Sequence, residues 1–144
     1  MWDNNIAIAG NVGRDPELRF LASGKAVANF SVAISGGKDR DGNERETTWI
    51  EVTCWDKLAE NVSESLTKGM RVSVQGRIAE DKWETDSGEK RSKTKVIADD
   101  VAASLKWATV EVNRVERFSA EDGGTRAAAT RRAPAPPHPD EEPF

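Results

Sequence analysis

The sequence predicts an all-β domain, and three observations carry that reading. Short apolar runs alternate with polar residues at a period of two, Asp, Asn, Gly and Pro separate them, and helical periodicity is confined to one segment. The first run, Asn5–Val12, sets Ile6, Ile8 and Val12 on one face. Asp15-Pro16 and Ser23-Gly24 mark turns, and Ala26–Ser35 is a strand of small and β-branched residues. Gly36–Asn43 (GGKDRDGN) reads as a flexible, polar hairpin loop before a third strand, Thr47–Trp55. From about Asp56 to Lys68, Leu58, Val62 and Leu66 recur at helical spacing, with Asp56 placed to cap the start and Gly69 to close the end. Met70–Ala79 alternates again, Asp86–Gly88 turns the chain, and Ser92–Val101 follows. Leu105–Val112 reads as an extra C-terminal strand. One helix between the third and fourth strands is the layout of the five-stranded Greek-key OB barrel.

The 144 residues suffice for one domain and a tail. Composition shifts after Phe118: residues 119–144 hold five of the six prolines and almost no large apolar residue before Phe144. Such a segment buries too little surface to offset its ordering entropy. The expected organisation is therefore a domain over 1–118 and a disordered tail over 119–144. No run approaches the roughly 20 apolar residues of a membrane span, and the N-terminus lacks the pattern of a secretory signal. The single cysteine, Cys54, fits a reducing cytoplasm and excludes a cysteine-built zinc site. The only histidine, His138, lies among prolines, which argues against a Ser-His-Asp or Cys-His apparatus. No catalytic residue, metal or cofactor is assigned. The net charge of −4 is shared evenly, since residues 1–118 carry 18 Lys and Arg against 20 Asp and Glu, and residues 119–144 carry 3 against 5. Any affinity for nucleic acid must then come from segregated charge and stacking.

Strand parity carries the functional reading. In Thr47–Trp55 the set Thr48, Ile50, Val52 and Cys54 is the core face, which leaves Trp49 and Trp55 on the polar face with Glu51 and Thr53. The two rings stand roughly 20 Å apart by strand rise. Beyond Met70, the set Met70, Val72, Val74 and Ile78 is apolar, and Arg71, Ser73, Gln75 and Arg77 share the parity of Trp83. Aromatics in strands usually pack inside, but three on polar parities fit a stacking platform for single strands. Lys57, Lys68, Lys82 and the run Lys90, Arg91, Lys93 and Lys95 are candidates for phosphate contacts. Phe20 and Phe30 are weaker stacking candidates, and Phe30 shares parity with Val32 and Ile34 of the core.

The segments GNVGRDPELRF, SGKAVANFSVA, TTWIEVTCWDKLAENVSESLTKGMRVSVQGRI and KWETDSGEKR resemble the bacterial single-stranded DNA-binding protein family across residues 4–112. The resemblance implies that Trp49, Trp55 and Trp83 fall on the base-stacking positions and Lys57, Lys68 and Lys82 on basic positions near the DNA. It implies a homotetramer without cofactor, located in the cytoplasm with the nucleoid. The segment SLKWATVEVNR resembles the added strand of actinobacterial members, which hooks subunits together. Glu51, Glu80 and Asp81 are acidic where many members are basic or neutral, the loop lacks a stacking aromatic, and the tail is short. These departures fit a paralogue or a phage-encoded copy and imply weaker binding than a housekeeping member shows.

In the tail, Asp140, Glu141 and Glu142 precede Pro143 and Phe144. An acidic end often serves solubility alone. Here an isolated aromatic closes a hydrophilic segment, and a ring flanked by carboxylates suits an apolar pocket rimmed by Arg or Lys. DEEPF resembles the family's tip that recruits replication, recombination and repair proteins. The alternatives are an OB-fold module for RNA or replication restart, and an adaptor whose tryptophans serve a subunit interface. A carboxylate nuclease would need clustered acids, and these are scattered over turns and helix faces.

Overall fold

A computed structural model describes residues 3–115. Its elements are β1 (Ile6–Val12), β2 (Glu17–Phe20), β3 (Ala26–Ile34), β4 (Thr48–Trp55), α1 (Asp56–Ser65), β5 (Arg71–Glu84) and β6 (Lys90–Ala103). They form one sheet in the order β1-β5-β6-β4-β3-β2, and a β1–β3 pairing closes it. The ring is thus five-stranded, with α1 between its third and fourth strands: the OB barrel that the sequence predicts. β2 and β1 share one edge of β3, with β2 taking Ala26–Asn29 and β1 taking Val32 and Ala33. All pairs are antiparallel except β4 with β6.

The expected core faces are the observed ones except at Thr48 and Ile78, which are exposed. Phe30, Val32, Val52, Cys54, Val72 and Val74 are fully buried, which makes Phe30 a core residue and not a stacking one. α1 presses Ala59 and Val62 onto this core, followed by Leu66 just past its end. Burial pushes the Cys54 thiol up to about 12, so it stays neutral and serves as a small apolar group.

Five local expectations need correction. The helix ends at Ser65, not Lys68, because Leu66 turns into extended geometry to reach the core. Gly69 does not close it; with a φ of 93°, it donates its N–H to the Val12 carbonyl and ties the loop to β1. Asp56 is not the N-cap but the first helical residue, and its φ of 57° lies in the left-handed region. Asp is among the few side chains that enter that region readily. The loop after β3 is organised rather than flexible: the Asp39 carboxylate accepts the N–H groups of Asp41 and Asn43, each at 2.9 Å. Those bonds, the one from Asn43 first, hold its pKa below the ordinary value. Finally, Leu105–Val112 forms no strand. Its apolar residues change parity midway, with Leu105 and Trp107 on one side and Val110 and Val112 on the other, so no single strand face could gather them.

β5 and β6 run well past the lengths read from sequence, pairing from Val72↔Ala103 to Glu84↔Lys90 as one long hairpin. A bulge between Gln75 and Gly76 skips Asp99 and so brings Val101 to the core side. Gly76 is required at this point. A Cβ there would sit on the Ile97 carbonyl and 2.9 Å from Ala98 Cα, both of them backbone. Gly76→Ala is expected to destabilise the fold by about 1–3 kcal/mol. A urea melt with a lower midpoint and unchanged slope is the check.

Candidate nucleic-acid interface

Register joins the tryptophans into one surface. On the outer face of β4 stand Trp49, Glu51, Thr53 and Trp55, opposite Ala33, Ser31, Asn29 and Val27 of β3. On the other side Glu51 meets Lys95, and Thr53 meets Ile97, of β6. Along the same face of the hairpin, Lys95, Lys93 and Arg91 meet Ala79, Asp81 and Trp83 of β5. Because β4 and β6 are parallel, the Trp49 end of β4 lies toward Lys93 and Arg91, and Trp55 lies at the far end. Trp49 is 61% and Trp83 46% exposed, values that put their rings outside the core; Trp55 is half-buried. Thr53, although on this face, is buried and donates its hydroxyl to the side-chain Oδ1 of Asn29 at 2.8 Å.

Two of the rings are held by their neighbours. The Trp49 ring lies on Gly13, where any Cβ would strike it and approach the Ser31 hydroxyl to 2.7 Å. Lys25 places its ammonium 5.7 Å from the centre of the Trp55 ring, within cation–π range. Trp83 and Lys82 line an open recess of about 470 Å³ at the outer part of the hairpin, with Glu80, Glu84, Lys90, Arg91 and Ser92.

The other expected cations are dispersed. Arg77, opposite Ile97, shares the face of Trp83. Arg71 sits at the opposite end of β5, with its guanidinium 4.9 Å from the centre of the Trp107 ring. Lys57 lies in the first turn of α1 and pairs with Glu60 at 3.5 Å. Lys68 lies in the loop after α1, where its backbone N–H donates to the Asp15 carboxylate at 2.7 Å. Asp140, Glu141, Glu142, Pro143 and Phe144 lie outside the described residues.

Sequence reasoning missed Gly13, Arg14 and Lys25. Arg14 pairs with Glu51 at 3.0 Å, and Lys93 reaches the second oxygen of that carboxylate at 3.7 Å. Lys95 pairs with Asp81 at 2.9 Å, and Arg91 with Glu89 at 3.1 Å. Only the pairing of distant strands brings most of these groups together, and no local signal announces it. Among the described residues no group of three or more His, Cys, Asp or Glu is placed to hold a metal, and no helix is long and apolar enough to cross a membrane.

Residues 3–104 match the model of the single-strand binding protein family. A single-stranded DNA-binding protein of Mycobacterium tuberculosis is 41% identical over 140 residues, covering 92% of this chain and 84% of that protein. One from Paenarthrobacter aurescens is 43% identical over 126 residues, covering 85% and 74%. Another from Corynebacterium glutamicum is 45% identical over 119 residues, covering 80% and 53%. The chain therefore belongs to the single-strand binding protein family.

Proposed function

We propose that the protein binds single-stranded DNA with little base preference, stacking bases on Trp49, Trp55 and Trp83, and that it acts by holding the strand, not by catalysis. One observation supports this most: the register of four strands sets all three rings on one outer face. Every base offers a π-face, so a ring holds a strand without reading it. A duplex keeps its bases stacked on each other and offers the rings nothing. The relatives' names as single-stranded DNA-binding proteins support the same reading. Lys57, Lys68, Lys82, Arg71 and Arg77 are proposed as backbone contacts around this platform.

We further propose a homotetramer, cytoplasmic and associated with the nucleoid. Its tail over 119–144 recruits replication, recombination and repair proteins through Asp140, Glu141, Glu142, Pro143 and Phe144. The assembly is supported by Leu105 and Trp107, 66% and 72% exposed beyond the closed ring, where a neighbouring subunit would cover them. The tail is supported by its lone terminal aromatic beside three acids.

Replacing Trp49, Trp55 or Trp83 with Ala is expected to weaken binding of a DNA homopolymer by about 1–3 kcal/mol each. The cooperative melt should survive. Tryptophan fluorescence titration measures the first and calorimetry the second; equally tight binding of an RNA homopolymer would move the reading to RNA. Light scattering on the full chain is expected to give a tetramer, and truncation before Ser104 a looser assembly. Deleting Phe144 should abolish capture of DNA-maintenance enzymes from a host extract while leaving DNA affinity unchanged. Equal capture by both forms would assign the tail to solubility.

A further inference from the structure

The tryptophan face carries cations, yet it is largely neutralised from within. All three cations on the outer face of β6 are taken by carboxylates: Arg91 by Glu89, Lys93 by Glu51 and Lys95 by Asp81. Glu51 is the central one. It stands in mid-strand between Trp49 and Thr53, is only 25% exposed, and engages Lys93 with one oxygen and Arg14 with the other. Its partners are more open to solvent, at 50% for Arg14 and 58% for Lys93, so the acid is the fixed member and the cations are the movable ones. A phosphate approaching this face must compete with a carboxylate already in place.

We propose that Glu51 is a specificity-determining residue, which sets the preference for single strands over duplex by withholding Arg14 and Lys93 from phosphates. This rests on the stacking reading above. Charge attracts single and double strands alike, since both carry phosphates, and it attracts the duplex more for its higher charge density. Stacking serves only a strand with unpaired bases. A face that cancels its own charge therefore binds through its rings and rejects duplex. Removing the central acid frees two cations, and each gains more from a duplex phosphate than from a single-strand one, about 0.9 against about 0.7 in the salt slope, so duplex affinity rises by the larger factor.

The test compares the full-length protein with Glu51→Gln, a near-isosteric change, on a DNA homopolymer and on a duplex of equal length over a series of salt concentrations. Glu51→Gln is expected to steepen the single-strand slope of log K against log salt by about 1.4 per subunit, two phosphates at about 0.7 each. Duplex binding at low salt should rise up to roughly tenfold, the scale of two exposed ion pairs, and the single-strand to duplex ratio should fall. Glu89→Gln removes the same charge but frees only Arg91, so its effect should be about half as large. Adding Lys93→Met to Glu51→Gln should return about half the gained slope, whereas Lys93→Met alone should change it little. An unchanged slope and ratio in Glu51→Gln, or equal effects of Glu51→Gln and Glu89→Gln, would overturn the proposal. If the unaltered protein failed to bind the homopolymer, the stacking reading itself would fall, a separate outcome read from the same titration.

Discussion

The short parallel seam between β4 and β6 is the constraint on which the rest depends. Three register pairs, Glu51↔Lys95, Val52↔Val96 and Thr53↔Ile97, join the sheet half that carries Trp49 and Trp55 to the hairpin that carries Trp83. On the inner side the same seam buries Val52 and Val96 in the core. One set of backbone bonds therefore fixes both packing and surface. A slip of one residue would turn Val52 outward and carry Trp49 inward together. The barrel cannot keep its core without also presenting its rings.

What the sequence made legible was local. Parity along β3, β4 and β5 depends only on counting within a strand, and it put Phe30 inside and the three tryptophans outside. The pairing of strands is not local. Glu51 and Arg14 are 37 residues apart in the chain and meet only through the closed ring. β2 escaped notice because ELRF is four residues long, with Leu18 its single inward apolar group. The expected final strand failed because Leu105–Val112 breaks its own alternation, with Leu105 and Trp107 on one parity and Val110 and Val112 on the other. Ile78 shows where parity stops being a guide. It belongs to the apolar set, yet it is 45% exposed because the hairpin has begun to leave the barrel there.

The near-neutral charge balance also has a structural answer. Acids and bases on the tryptophan face are interleaved, so neither forms a patch. A basic stripe would hold any polyanion, whereas interleaved pairs on a sheet carrying exposed rings favour a ligand with accessible bases. Arg71 and Lys106 illustrate the other use of cations in this chain, flanking Trp107 at 4.9 and 4.7 Å from the ring centre, away from Trp83.

The outer hairpin has a mechanical consequence. From Glu80 to Glu84 against Lys90 to Thr94, β5 and β6 pair only with each other, a two-stranded ribbon about 17 Å long with exposed faces. Ribbons of two strands twist more than broad sheets and lack a second layer to stiffen them. Trp83 is thus mounted on a compliant arm, whereas Trp49 and Trp55 are mounted on the rigid wall of the barrel. A polymer laid across both would find two fixed anchor points and one that follows its curvature. The spacing between Trp83 and the other two rings can then change without any rearrangement of the core.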